Sequence, residues 1–206
     1  MDTDAQGYEE IIRALEFDGQ HLEHLTADAV EKIDRMLDDD PFDRTHLERI
    51  RSLARESVVN VPNLDERPHL VIKCNERLEA LVERVKHEAF VFTENAEKMR
   101  SLIDLNVLNA AGLDCQRQET WKNELVDMQG QVSSDHMDIL AYYRRRSAIG
   151  IDLLHRPRVS DYWMELLEID EDFFFKLRTI LYHLKLYNVR LHQLVYRWLH
   201  VSKDVL

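Results

Sequence analysis

Glycine and proline are scarce in this chain, five and four among 206 residues. Glycine loosens a regular element through backbone freedom, and proline interrupts it by lacking an N–H. With so few of either, the many tight turns of a β-sandwich or barrel have no supply, and long helices are favoured. Cysteine is scarcer still. Cys74 and Cys115 cannot build a disulfide framework and lack metal-ligand spacing. Both are expected as reduced thiols at core or boundary positions, in the cytoplasm or the nucleus. Basic charge is in deficit: 27 Lys and Arg face 39 Asp and Glu, a net charge of −12. An acidic surface repels phosphate backbones and anionic lipid, so neither nucleic acid nor a membrane is an expected partner. No stretch approaches the roughly 20 uncharged apolar residues that cross a bilayer. Met1-Asp2-Thr3-Asp4 lacks the basic-then-apolar pattern of a secretory leader.

Catalytic patterns are missing too. A di-metal site in a helical bundle needs two inward Glu-x-x-His pairs; the only such spacing is Glu66-Arg67-Pro68-His69, in a proline-bearing stretch. There is no His-Glu-x-x-His, no glycine-rich phosphate loop and no Gly-x-Ser-x-Gly. His21 and His24 share a helical face, but two ligands without a third read as a solvated pair. His183, His192 and His200 read as boundary residues of the last helix. The acidic run Glu168 to Asp172 reads as a solvated face, because Ile169 and Phe173 already supply a buried side. Arg144-Arg145-Arg146 suits the end of a helix, where cations complement the helix dipole, or a partner-binding patch. No catalytic residue, metal or cofactor is expected, and the chain is not read as an enzyme.

What is present is helical periodicity. Apolar residues make up 45% and charged residues 32%, a core inside an unusually charged coat. Val71, Cys74, Leu78, Leu81, Val85, Ala89, Phe92, Ala96, Met99 and Ile103 follow three- and four-residue steps, the seam of a long packed helix. A second seam runs through Trp163, Leu166, Ile169, Phe173, Leu177, Ile180, Leu184, Tyr187, Leu191, Leu194 and Trp198, starting near Ser160-Asp161, whose short polar side chains can cap. A third uses Trp121, Leu125, Met128, Val132, Ile139, Tyr142 and Tyr143, weakened in its middle by Gly130, Ser133 and Ser134. The first helix is less regular, with Ile11, Leu15, Leu22, Leu25, Val30, Ile33 and Leu37 interrupted by Gly19. The expected helices cover about 8–38, 70–106, 115–149 and 160–202, with a long linker at about 41–69 and a helical turn near Leu47–Leu53. Short second and third connections make their helices antiparallel. The fold class is all-α: a four-helix bundle, read as one domain, with one long first crossover.

The last helix carries more aromatic side chains than one seam needs. Phe174, Phe175, Tyr182 and Tyr196 are expected to point away from the stripe, and an exposed helix bearing them would be a subunit interface.

The residues also carry a family likeness. Cys74-Asn75-Glu76-Arg77-Leu78 with Val85-Lys86-His87-Glu88, Tyr142-Tyr143 with Arg146, and Pro157-Arg158-Val159-Ser160-Asp161-Tyr162 with Glu168-Ile169-Asp170-Glu171 and Leu177-Arg178 resemble, in this order, the REG (11S-type) proteasome activator family. Lys32-Ile33 through Leu37 and then Val61-Pro62 resemble its first helix and exit. The match covers most of residues 25–200. The resemblance implies four-helix subunits assembled as a homo-oligomeric, heptameric ring that docks on the 20S proteasome core particle through its C-termini. It implies that a loop between the second and third helices opens the core's gate without ATP, so that peptides enter and leave, with no bond broken by the activator. Carried over by position, that activation loop is Asn106, Asn109, Ala110, Ala111 and Gly112, with Ala110 and Ala111 standing where the family has Asn and Phe. The docking C-terminus is Lys203, Asp204, Val205 and Leu206, an apolar end with a free carboxylate. Two other readings stand beside it: a helical scaffold subunit of a different assembly, and a ring-forming family member that no longer opens the gate.

Overall fold

The structure is a computed structural model that describes residues 2–38, 44–56, 58–61, 69–109 and 115–205. The chain is all-α, and the described residues form five helices and one short two-stranded ribbon: α1 (Asp2–Asp38), α2 (Arg44–Glu56), β1 (Val58–Val61), β2 (His69–Ile72), α3 (Glu76–Asn109), α4 (Cys115–His155) and α5 (Ser160–Val205). The long helices α1, α3, α4 and α5 are the four expected from the periodicity.

The boundaries differ from expectation where local chemistry overrides the seam. The expected linker contains a three-turn helix, α2, and β1 and β2 pair antiparallel with Val58 opposite Ile72 and Val61 opposite His69. Because Val71 lies in β2, helical spacing does not apply before Glu76, and Cys74 falls outside the seam and is exposed. Cys115, the first residue of α4, is exposed as well. α3 continues through Asn109, past the expected end near Asn106. α4 continues through Gly150 to His155, and Pro157 follows. α5 opens at Ser160, where Trp163 Nε1 donates to the Pro157 carbonyl at 3.2 Å.

The chain forms two compact units. The first comprises Met1–Asp34, Glu88–Val132 and His183–Leu206; the second comprises Arg35–His87 and Ser133–Tyr182. In the first unit the core is built from Leu22, Phe92, Met99, Leu125, Leu191 and Trp198, all 2% exposed or less. Gly19 does not interrupt α1; it admits the Trp198 ring. A Cβ at Gly19 would stand 2.5 Å from Trp198 Cζ3 and 2.8 Å from Leu199 Cδ2, too close for any side chain. Thr26 Oγ1, buried, lies 3.0 Å from His192 Nδ1. Lys32 pairs at 2.7 Å with Glu88, which is 3% exposed. In the second unit Leu78, Val85, Leu153, Leu166 and Leu177 are sealed. Phe174, expected at a subunit interface, belongs to that core at 2% exposed. The buried face of α5 is wider than one stripe, taking consecutive residues at Ile169-Asp170, Phe173-Phe174 and Ile180-Leu181.

Candidate functional site

The second unit is organised around one fully buried carboxylate. Asp170 is 0% exposed, and an unpaired charge there would be prohibitively desolvated. Its Oδ1 accepts from Arg146 Nε at 3.0 Å and from Tyr142 Oη at 2.9 Å. Its Oδ2 accepts from Asn75 Nδ2 at 3.0 Å. Each partner comes from a different place in the chain and reaches further. Arg146 Nη2 donates to the Lys73 carbonyl at 3.0 Å. Asn75 Nδ2 also donates to the Ile50 carbonyl of α2 at 3.2 Å. At the same time Asn75 starts α3: its own carbonyl accepts from Glu79 N at 3.0 Å, and its Oδ1 faces Leu78 N at 3.5 Å, the position of an N-cap. The Tyr142 ring stacks on Phe173 with centroids 3.7 Å apart. One carboxylate thus joins α5, α4, the start of α3 and, through Asn75, α2.

The electrostatics favour this pairing. Burial pushes the Tyr142 phenol well above its ordinary range, and the Asp170 charge pushes further in the same direction, so it stays a donor. Burial alone would weaken the Arg146 charge, but the charge of Asp170 and the bond to it outweigh that and hold the guanidinium protonated. Nearby, Arg51 of α2 clamps Glu171 of α5 with bonds of 2.7 and 2.5 Å. The set is a charge-balanced clamp without a nucleophile or an activated base. Among the described residues no cluster of His, Cys, Asp and Glu could hold a metal ion.

All four residues lie inside the segment that decides kinship. Residues 71–201 match the family model described as proteasome activator PA28, C-terminal. The chain belongs to the PA28 proteasome activator family. A PA28 relative from Gallus gallus, named proteasome activator complex subunit 3, is 24% identical over 159 residues, 76% of this chain and 63% of its own length. The Homo sapiens protein of the same name is 26% identical over 131 residues, 62% of this chain and 52% of its own. The matches thus span between half and two thirds of these relatives. The crystal structure of the 11S subunit of the Plasmodium falciparum proteasome, PA28, matches with a TM-score of 0.70 and 16% identity, covering 100% of this chain and 96% of that one; the likeness is one of fold. PA28 is a family of proteasome regulators, not of catalytic enzymes.

The PA28 framework gives the sequence motifs a physical meaning. Asn75, Tyr142 with Arg146, and Asp170 were separate pieces of a family pattern, and in the fold they meet as donors and acceptor of one buried cluster. Two readings of these residues need correction. The run Glu168 to Asp172 is not uniformly solvated, because Asp170 is sealed and Glu171 is paired. In Arg144-Arg145-Arg146, the third arginine is 8% exposed and commits to Asp170. A signal for Arg146 was present: stepping by four and three from Trp121 through Leu125, Met128, Val132, Asp135, Ile139 and Tyr142 arrives at Arg146, and every position on that path is buried.

The other expected site residues are placed less fully. Asn106 and Asn109 fall in the last turns of α3, their side chains outside the described residues; Ala110, Ala111 and Gly112 lie outside them altogether. Lys203, Asp204 and Val205 belong to α5 by backbone, again without described side chains, and Leu206 lies outside. Phe175, Tyr182 and Tyr196 are half-exposed, at 48%, 49% and 49%, and Arg178 lies over the Tyr182 ring at 5.8 Å.

Proposed function

We propose that this chain is a subunit of a homo-oligomeric, heptameric ring that docks on the 20S proteasome core particle through its C-termini and opens the gate for peptides without ATP. The observation that carries the reading is the family match over residues 71–201. Two structural facts support it. The end of α3, the start of α4 and the end of α5 belong to the same compact unit. Phe175, Tyr182 and Tyr196 offer exposed aromatic area for neighbouring subunits, and a head-to-tail contact that closes makes a ring. Seven weak tail contacts would add by avidity to firm docking. Two exposed thiols suit the reducing cytoplasm or nucleus, where the ring would work. A second reading, a ring that docks without opening the gate, is favoured by Ala110 and Ala111 in the activation segment.

The test is mass by light scattering on the purified chain, then hydrolysis of a fluorogenic peptide by added 20S core. A mass near seven times the 24.5 kDa chain, with hydrolysis stimulated and the stimulation lost on deleting Val205 and Leu206, is the expected result. A ring without stimulation selects the second reading. A monomer or dimer without stimulation overturns both.

A further inference from the structure

Beside the Asp170 cluster the second unit holds a groove of about 400 Å³, within the size range of sites that seat small ligands or a few peptide residues. Its walls include Ile72, Tyr143, Ile151 and Leu154, and Arg146 and Glu79 supply charge. Three features mark it as a built site. Gly150 lines it from inside a helix, where glycine is unfavourable by about 1 kcal/mol relative to alanine. A Cβ there would be 3.4 Å from Ile72 Cδ1, so longer side chains would occupy the groove. Ile151 and Leu154 remain 52% and 48% exposed at its lip, apolar area without a cover among the described residues. Arg146, although 8% exposed, bonds only through Nε and Nη2 among the described residues, leaving Nη1 as a donor.

The charge pattern selects the ligand. Asp170 already balances Arg146, and Glu79 adds a carboxylate at the wall, so a full anion gains little and meets repulsion. A neutral carbonyl oxygen suits Nη1, an amide N–H suits Glu79, and branched apolar side chains suit Ile72, Ile151 and Leu154. We propose that this groove binds a short apolar peptide segment, its backbone carbonyl on Arg146 and its side chains on the Ile151–Leu154 lip. The site lies wholly in the second unit and does not rest on the assignment of the docking and gate-opening segments.

The probe is N-acetylated Leu-Val-Leu carrying fluorescein on a C-terminal lysine, with Ser-Gly-Ser in the same frame as control. Both are titrated by fluorescence anisotropy against the full chain without core particle. Saturable binding is expected, at least tenfold tighter than the control. Gly150→Leu, which fills the groove, and the double change Ile151→Ser with Leu154→Ser, which strips the lip, should each weaken it at least tenfold with far-UV circular dichroism unchanged. The proposal is overturned by non-saturable binding, by equal affinity for the polar control, or by wild-type affinity in both variants. Loss of self-association in the double variant, measured by light scattering, would assign the lip to a contact between copies and overturn it too.

Discussion

Asp170 in the second unit and Trp198 in the first are both sealed from solvent, yet they hold their surroundings by different means. Around Asp170 of α5 the donors arrive from the start of α3 and from α4, with α2 tied in through Asn75, and the contacts are directional hydrogen bonds at 2.9 to 3.2 Å. Around Trp198 the contacts are steric: an indole seated against Gly19, with Leu22, Leu194 and Leu199 buried in the same unit. The second unit must place a short helix and a two-stranded ribbon as well as helix ends. Apolar packing is non-directional, so it does not by itself fix where those pieces stop, whereas a carboxylate with defined donors does. The first unit packs long helical stretches, which ridge-and-groove fit can align.

The sharpest way to break the contrast is to delete the directional contact. Asp170→Ala strands the Arg146 guanidinium and should cost about 3–5 kcal/mol, the range for removing one partner of a buried pair, measured by urea denaturation. A loss comparable to that of a surface pair would mean apolar packing already suffices in the second unit. The steric side is tested with glycines. Gly19→Leu should cost about 1–3 kcal/mol through overpacking against Trp198. Gly130→Ala, where nothing lies within 4 Å, should stabilise by about 0.5–1 kcal/mol through helix propensity; equal signs at the two positions would dissolve the argument.

Tyr142→Phe removes one donor from Asp170 and should cost about 1 kcal/mol at neutral pH. It also has a pH signature. The folded phenol titrates above its ordinary value of 10.0, so the unfolded chain releases that proton first as pH rises. The stability it contributes is therefore complete below about pH 10 and lost above it. The melting temperature should fall more steeply above pH 10 in the wild type than in Tyr142→Phe; parallel curves would show that the phenol is not held protonated. The smallest effect is expected at the surface. Arg197 and Glu124, 48% and 32% exposed, should lose less than about 1 kcal/mol on Glu124→Gln, and less still in high salt.

Much of this was legible in advance. The buried positions Leu78, Leu81, Val85, Phe92, Ala96, Met99 and Ile103 lie on the three- and four-residue stride of α3, and the start of α5 agrees with the capping signal at Ser160-Asp161. Polar members of the seams were harder to read. Arg146 and Asp170 sit on buried faces of their helices, but their residue types suggest solvent, and only a partner on another helix reverses that inference. Gly19 was equally ambiguous. A glycine in a helix reads as a break unless an aromatic ring takes the missing side chain's place, and Trp198 is 179 positions away in sequence.

Periodicity and scarce breakers by themselves determined four long helices and an all-α class, because a helix reports its buried face every three or four residues wherever it packs. The motif order by itself pointed to the family. Which charges are buried, which glycine holds a ring and which leaves a groove, and that Asn75, Tyr142, Arg146 and Asp170 are neighbours were decided only by the tertiary structure. Those properties depend on pairs of residues far apart in the chain, and a local pattern carries no information about who stands opposite.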